Sequence, residues 1–583
     1  MRFSIYHAST ASLLFSALSF ASFTPCPLLG PAFPPFSVNA DDEVMANALE
    51  DLTQRLDSLV ATGTGSHGDV SPNTTFSIAL FSADAGDAED EPFFWQYHHT
   101  ARALNRSSTG SHSANKDSVY RIGGLTEVFT VWSLLLSGGD QILDDPVTKY
   151  LPELVDSRSA LEQQEDGITY VSWEDVTVGQ LASHMSGIAR DYCSNEFTLQ
   201  SSLGKAGLPP IQDDTKHCCG NGSKCDTDDF IRYLSSEPPV LAAGTSPSYS
   251  NMAFQLLGYI AERRAGKPFS TLLQHDIFDA LGMAQTSIFA PANTSNGIIP
   301  VSKEASGWSA RHNGDEASKS LFTTLTDLSR AGQAILNSTL LDKPVTNRWL
   351  KPVAHTSNPA NSIGLPYVIY SGGSYPNTSM VDVYTLLSNE GYNEGLYSSY
   401  LGLVPDFGVG FAILSADTQE PADLNAHADI IGDVTLEAII TTATLQAGQN
   451  FGGSYNASHL NSSINIAYDD LPGLFIDEFI SNGTDFRETL AGLAGVSDPS
   501  DLSIRLYPSQ LVDGSSARQA FRAVFQDITE LADNDTPTCV SWMDLDKFRY
   551  GGQPLDEFVF EIDGSGGAVN VRIPALRVEL HRS

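Results

Sequence analysis

The order of strand and helix patterns along the chain constrains the fold more than any other feature. Segments rich in β-branched and aromatic residues, 74–84 and 92–104, predict two neighbouring strands, and three more such segments follow between residues 380 and 417. The stretch between them, about residues 140–350, is dominated by helical periodicity and loops. We therefore predict one sheet that is completed by both ends of a domain, followed by a helix over residues 428–448.

The character of the chain changes after about residue 450. The segments "VFEID", "AVNVRIP" and "LRVELHR" alternate apolar and polar residues between Gly-rich turns, which predicts a sheet or small barrel. The predicted fold class is α/β in the broad sense: an antiparallel sheet flanked by helices, a mainly helical inserted subdomain and a β-rich C-terminal domain. The predicted boundaries are a signal peptide at 1–21, an extension with an amphipathic helix at 22–69, the main domain at 70–447 and the C-terminal domain at 448–583.

Length and charge narrow the classes of partner. A chain of 583 residues is too long for one ordinary core. The formal net charge of -38 argues against nucleic acid or an anionic membrane as a partner. We expect no nucleic-acid partner and no membrane span, and the sequence leaves the oligomeric state open.

The N-terminus and the glycosylation signals predict a secreted protein. Arg2, the apolar stretch Ala11–Phe23 and the small residues Ser19 and Ala21 form a secretory signal pattern. Sequons for N-glycosylation are spread along the chain. They lie at Asn73, Asn105, Asn221, Asn293, Asn337, Asn377, Asn456, Asn461, Asn482 and Asn534.

Six cysteines suit an oxidising compartment. Cys193, Cys218, Cys219 and Cys225 cluster around "HCCGNGSKC", where a metal site with His217 is conceivable but a disulfide-pinned loop is favoured. We expect these four to pair among themselves and Cys26 to pair with Cys539.

The segment "YRIGGLTEVFTVWSLLL", residues 120–136, predicts a strand that runs into a buried helix. Four further segments follow that, together with this one, form an ordered set of motifs. They are "VTVGQLASHMSGIARD", "YSNMAFQLLGYIAE", "FTTLTDLSRAGQAIL" and "YSSYLGLVPDFGVGFAILSAD". In this order they resemble the serine β-lactamase and penicillin-binding-protein-like family, nearest to the class C and esterase branch and its secreted fungal members. The resemblance covers about residues 70–445.

The resemblance implies a catalytic S-x-x-K motif at the helix start, a Y-x-N triad and a basic K-T-G-like motif on a strand. Here the serine position is Gly124 and the lysine position is Glu127, whereas Tyr249 and Asn251 keep the second motif. The third motif falls near Asn389 and Gly391, with Glu390 between them, so the cation that would bind a substrate carboxylate is missing. Loss of the nucleophile lowers turnover by about a millionfold in the best-studied serine hydrolase.

Two interpretations of Gly124 and Glu127 remain open. In the structural one, Gly124 is an N-cap and Glu127 completes a pattern close to a capping box. In the catalytic one, Glu127 activates a water molecule in the space left by the serine, and Tyr249 protonates the leaving group. Thr126 and Ser133 are expected to lie outside the pocket, and His184 and Ser186 are expected to be structural.

The sequence thus predicts a secreted β-lactamase-like pseudoenzyme that binds a small molecule or an extracellular partner. The family mechanism needs no metal, and we expect no cofactor. An active amide or ester hydrolase and a structural protein with a filled cleft are the alternatives.

Overall fold

The central sheet is assembled from strands at both ends of a long stretch of chain. The structure is a computed structural model, and it describes residues 25–84, 91–107, 109–156, 166–192, 227–310, 314–372, 381–388, 395–515, 517–529 and 539–583. Within these ranges, residues 35–372 and 381–446 form one compact unit, and residues 25–34 and 447–583 form the other. The predicted signal peptide and the cysteine cluster around residue 218 lie outside the described residues.

The larger unit contains an eight-stranded antiparallel sheet with the order β2-β1-β8-β7-β6-β5-β4-β3. Its strands are β1 Thr75–Ser82, β2 Trp95–His99, β3 Ala354–His355, β4 Asn361–Ile363, β5 Val368–Gly372, β6 Val381–Ser388, β7 Tyr397–Val404 and β8 Val409–Ala416. The pairing of β1 with β8, which sets Ile78 opposite Ile413, confirms that both ends of the domain complete one sheet. The short strands β3 to β5 were not predicted.

Helices lie on both faces of this sheet and between its strands β2 and β3 along the chain. The helices in the described residues of this part of the chain are α1 Glu43–Thr62, α2 Thr126–Gly138, α3 Glu153–Asp156, α4 Val178–Ala182, α5 Thr227–Leu234, α6 Asn251–Ala265, α7 Phe269–Leu273, α8 Glu316–Lys319, α9 Leu325–Leu336, α10 Lys343–Trp349 and α11 Asn425–Phe451. Every residue of β1 is buried because successive side chains point to opposite faces and both faces carry a core. Ile78 and Leu80 join one apolar cluster, whereas Ala79 and Phe81 join the other.

The predicted N-terminal amphipathic helix is confirmed as α1. Its buried residues recur at helical spacing and pack in the same cluster as Ile78 and Leu80. They are Met45, Leu49, Leu52, Leu56 and Leu59. Within the described ranges, no helix combines the length and the apolar character that crossing a membrane requires.

The smaller unit confirms the β-rich C-terminal prediction. Its nine-stranded sheet has the order β10-β9-β17-β16-β15-β14-β13-β11-β12, and β10 also pairs with β11, which closes a barrel-like sheet. The strands are β9 Gly453–Ala457, β10 Ser462–Ala467, β11 Leu474–Ser481, β12 Thr484–Asp485, β13 Leu502–Val512, β14 Arg518–Asp527, β15 Glu557–Ile562, β16 Ala568–Ile573 and β17 Val578–Arg582, with the helix α12 Phe486–Ala494 between them. Cys26 and Cys539 form a disulfide within this unit, which confirms that predicted pair.

The described residues also form three two-stranded ribbons. They pair Thr64–Gly65 with Gly68–Asp69, Tyr120–Arg121 with Phe322–Thr323, and Arg549–Tyr550 with Gln553–Pro554.

Candidate functional site

The start of α2 lies against the strands β6 and β7. A 3-10 turn, Gly123–Leu125, leads into the helix, and Gly123 has a φ of 48°, a conformation that favours glycine. The hydroxyl of Ser399 on β7 donates to the carbonyl of Ile122 at 2.8 Å. The backbone N–H of Gly124 donates to Ser388 Oγ, at the end of β6, at 2.8 Å. The sheet therefore holds the turn that carries the predicted nucleophile position.

Residue 124 has space for a small side chain. A Cβ atom added to Gly124 would lie 3.5 Å from Ser388 Oγ and 3.6 Å from Tyr249 Oη, which are ordinary contact distances. Two hydroxyl groups from distant parts of the chain therefore approach the point where a serine side chain would begin.

Glu127 does not form the capping arrangement that the sequence suggested. Gly124 lies inside the 3-10 turn, and its N–H bonds to Ser388, not to the Glu127 carboxylate. The carboxylate is fully buried, and its Oε1 accepts hydrogen bonds from Tyr249 Oη and Ser318 Oγ, both at 3.0 Å. The capping-box interpretation was wrong because these side chains offer the buried carboxylate hydroxyl donors.

Tyr249 reaches this carboxylate from just before α6, and Asn251 is the first residue of that helix. Ser250 caps that helix, since its Oγ accepts from the N–H of Ala253 at 3.1 Å. Asn251 Oδ1 faces the hydroxyls of Ser318 at 2.6 Å and Tyr249 at 3.0 Å. Two hydroxyls thus alternate with two acceptor oxygens in a ring of four contacts, among which the two hydroxyl hydrogens are shared.

The amide of Asn251 is oriented from its other end. Its Nδ2 donates to Asp191 Oδ1 at 2.5 Å, so Oδ1 points into the ring. Lys319 Nζ lies 3.9 Å from the same Asp191 oxygen, and Arg190 Nε lies 3.3 Å from its Oδ2. Lys319 is fully buried, whereas the side chain of Arg190 is half-exposed and lies over the ring of Tyr249.

His184 faces the second oxygen of Glu127. The N–H of Ser250 donates to His184 Nδ1 at 3.3 Å, so in the neutral imidazole the ring proton resides on Nε2. His184 Nε2 lies 3.6 Å from Glu127 Oε2, which accepts no hydrogen bond within the described residues. The ring also packs against Tyr249 and Phe254, with centroids 4.7 and 5.1 Å apart.

The segment "VTVGQLASHMSG" is helical only in its first half, for a local reason. Thr177 and Gln180 form a capping box at its start, but α4 ends at Ala182. His184 then adopts a φ of 57° and Gly187 a φ of 65°, which turns the chain out of the helix. This turn carries His184 to Glu127.

The four predicted residues Gly124, Glu127, Tyr249 and Asn251 lie together, and Asn389 and Gly391 lie outside the described residues. Thr126 is structural, since its hydroxyl donates to the carbonyl of Gly123 at 2.7 Å and accepts from the N–H of Leu321 at 3.1 Å.

Sequence reasoning missed Ser318, Ser388, Asp191 and Lys319, and it assigned His184 to structure alone. For Ser388 a signal existed, because it shares the strand alternation of the buried residues Tyr384 and Leu386.

The Glu127 side chain is held by hydrogen bonds from two other segments of the chain. A carboxylate accepts hydrogen bonds only, and the described contacts of Glu127 are with Tyr249, Ser318 and His184. A phenolate at Tyr249 would face this carboxylate at 3.0 Å and be repelled. Within the described ranges, no group of three or more His, Cys, Asp or Glu residues is arranged to hold a metal ion.

Comparison with protein families identifies the class of this fold and site. The model described as "Beta-lactamase" matches residues 96–436, more than half of the chain. A second model, "Beta-lactamase-like-like, C-terminal domain", matches residues 443–583. The chain belongs to the Beta-lactamase family, a result that confirms the resemblance found in the sequence.

Two relatives extend the match over most of the chain. A beta-lactamase-like protein of Arthroderma benhamiae is 27% identical and covers 96% of each chain. The probable hydrolase clz13 of Cochliobolus lunatus is 25% identical and covers 82% of this chain and 80% of its own. Among solved structures, a beta-lactamase/D-alanine carboxypeptidase from Yersinia pestis complexed with citrate is similar, with 16% identity, a TM-score of 0.48, and coverage of 68% of this chain and 99% of that one.

Proposed function

We propose that this protein is a secreted, noncatalytic member of the Beta-lactamase family that acts by binding a small molecule or an extracellular partner. One observation carries the proposal: Glu127, at the position of the family lysine, accepts the hydroxyl hydrogen of Tyr249 while residue 124 has no side chain. Covalent acyl transfer needs a nucleophile and a group that takes its proton. Residue 124 supplies no nucleophile, and the Glu127 oxygen beside Tyr249 already accepts hydrogen bonds from two hydroxyls.

The alternative of a water molecule activated by Glu127 has less support. The carboxylate is fully buried, and its Oε1 already accepts from two hydroxyls. A general base must lie within hydrogen-bond reach of the proton that it removes. Glu127 is better placed to orient Tyr249 than to deprotonate a water molecule.

Secretion is supported by two features besides the N-terminal sequence. The disulfide between Cys26 and Cys539 is typical of an oxidising compartment. Of the sequon asparagines in the described ranges, all but the half-buried Asn73 are exposed, as N-glycosylation requires. They are Asn105, Asn293, Asn337, Asn456, Asn461 and Asn482.

Covalent labelling tests the absence of acyl-enzyme chemistry. The parent and the double variant Gly124→Ser, Glu127→Lys are incubated with fluorescent penicillin and a fluorophosphonate, and intact mass is measured. We expect no label on the parent. The matched control, Gly124→Ala with Glu127→Lys, carries the same lysine without a nucleophile, so labelling of the first variant alone locates the adduct at residue 124.

Labelling of the parent would refute the proposal, and peptide mapping would then identify the nucleophile. If neither protein is labelled while both unfold cooperatively, the parent lacks acyl-enzyme chemistry and two substitutions are too few to restore it. Secretion is tested separately, by N-terminal sequencing of protein from culture medium and by its loss of mass on enzymatic deglycosylation.

A further inference from the structure

A separate cleft lies at the far ends of the two helices that begin at the site around Glu127. The helices α2 and α6 are 13 and 15 residues long and end at Gly138 and Ala265. Their ends are therefore about 20 Å from their starts along the helix axes. The cleft has a volume of about 440 Å³, within the range of small-molecule sites. Its lining residues are Ser137, Arg264, Ala265, Lys267, Leu272 and Asp276.

The guanidinium of Arg264 is held in position at the wall of this cleft. Its Nε donates to the carbonyl of Ser137, in the last turn of α2, at 2.9 Å. That carbonyl lies at a helix end, where it has no partner within the helix, so the contact serves both groups. The two terminal nitrogens of Arg264 form no hydrogen bond or ion pair within the described residues. They remain as donors in a fixed plane.

The cleft carries more positive than negative charge. Arg264 and Lys267 contribute two cations, whereas Asp276 contributes one carboxylate. Lys267 is exposed and forms no ion pair in the part of the chain that the structure describes. Asp276 has a partner of its own, since His275 Nδ1 lies 2.7 Å from its Oδ1. The two cations are thus the lining groups with unused hydrogen-bond donors.

Carboxylates outside the cleft leave this positive charge in place. Lys149 Nζ lies 2.8 Å from both oxygens of Asp145. Hydrogen bonds from Lys149 and Tyr150, together with the charge of Arg264, lower the pKa of Asp145, which therefore shares its charge among several partners. The rest of the acidic surface acts weakly, because the Debye length is about 8 Å at 0.15 M salt.

We propose that this cleft binds small organic anions that carry a carboxylate on a short apolar chain. The terminal nitrogens of Arg264 donate to the carboxylate oxygens, and Lys267 adds a second attraction. Ala265 and Leu272 supply apolar surface for the chain. The inference is independent of the proposed function, since the cleft shares no residue with the site around Glu127.

The test compares three probes at neutral pH and 0.15 M salt: hexanoate, hexylamine of equal chain length, and inorganic phosphate. Titration calorimetry measures binding, and saturation-transfer NMR reports which protons of the organic probes contact the protein. We expect saturable binding of hexanoate and at least tenfold weaker binding of hexylamine, which the cations repel. Phosphate should also bind more weakly than hexanoate, because it has no apolar chain.

Variants locate the binding at the cleft. Arg264→Gln should weaken hexanoate binding at least tenfold, since it removes the charged donor. Ala265→Glu adds a carboxylate to the wall and should abolish binding, whereas Ala265→Gln, of the same size, should retain most of it. Asp276→Asn removes the like charge and should strengthen binding about threefold.

Lys343 provides the surface control. It is exposed in α10, lies outside the cleft lining and forms no ion pair within the described residues, so Lys343→Gln should leave hexanoate binding unchanged. The inference would be overturned by absence of saturable hexanoate binding, by equal or tighter binding of hexylamine or phosphate, or by equal binding to the parent and Arg264→Gln. Covalent labelling of the parent bears on the proposed function alone, so the two failures are distinguishable.

Discussion

Tyr249 donates a hydrogen bond to Glu127 across 3.0 Å, although 122 residues separate them in the chain. In the family that this chain resembles, a lysine at the position of Glu127 acts with the tyrosine to manage the proton of the nucleophile. Exchange of a cation for a carboxylate reverses the electrostatic influence on Tyr249, because a carboxylate favours the protonated phenol and an ammonium favours the phenolate. The tyrosine is retained here, and its hydroxyl donates to the carboxylate that stands at the position of the family lysine.

Ser318→Ala should destabilise the larger unit by about 1–3 kcal/mol, because the buried hydroxyl bonds to both Glu127 and Asn251. Urea unfolding measures the change. Ser329 provides a matched control: it is equally buried, and its hydroxyl makes no hydrogen bond within the described residues. Ser329→Ala should be neutral or stabilising, since it removes a buried hydroxyl that has no partner. Equal losses in both variants would contradict the role of the ring.

Two glycines of the motifs should differ in their tolerance of alanine. Gly187 has a φ of 65°, and a Cβ atom there would lie 2.1 Å from the carbonyl oxygen of Leu241, so Gly187→Ala should cost more than about 2 kcal/mol or prevent folding. At Gly124 the nearest atoms would be 3.5 Å away, and Gly124→Ala should change stability by less than about 1 kcal/mol. Thermal unfolding of the two variants, with soluble yield as a second readout, checks the difference. Comparable destabilisation by the two would be the contrary result.

Stability should decline in mild acid because of His427. Burial lowers the pKa of His427 from 6.5 to about 4, and both ring nitrogens are without hydrogen-bond partners in the described residues. Between these values the unfolded chain binds a proton that the folded chain does not, so stability falls as the pH decreases from 6.5 to 4. The shift corresponds to about 3 kcal/mol.

Urea unfolding of the parent and of His427→Leu between pH 4 and pH 6.5 isolates the contribution of His427 to the pH dependence of stability. The variant should lose this part of the pH dependence, since it has no group to protonate. An unchanged slope would assign the acid sensitivity to other residues.

Removal of the Cys26–Cys539 disulfide by a double serine substitution should lower the stability of the C-terminal unit by about 2–5 kcal/mol. Calorimetry measures this loss of stability. Peptide mapping without reduction verifies that Cys26 is bonded to Cys539 in the parent. The larger unit contains neither cysteine, and its transition should keep its midpoint. A shift of that transition alone would contradict the assignment of the disulfide to the smaller unit.

Long periodic elements were predictable, whereas short strands and side-chain partners were not. The helix α1 and the strands β1, β7 and β8 follow their apolar pattern because each covers a core surface with a regular period. The strands β3 and β4 have two and three residues in a segment rich in Asn and Pro, too short for a period to emerge. The capping interpretation of Glu127 failed because a local pattern carries no information about hydroxyls brought from elsewhere in the chain.

The sequence by itself determined that position 124 has no nucleophile, that position 127 has a carboxyl group, and that Tyr249 and Asn251 keep the motif at the start of α6. These are properties of single residues and local spacing. Only the tertiary structure decided what Glu127 contacts, because Tyr249 and Ser318 lie 122 and 191 residues further along the chain. Packing of α2 against α6 and α8 brings these donors to a carboxylate that is buried away from water, where each hydrogen bond replaces one that water would have made.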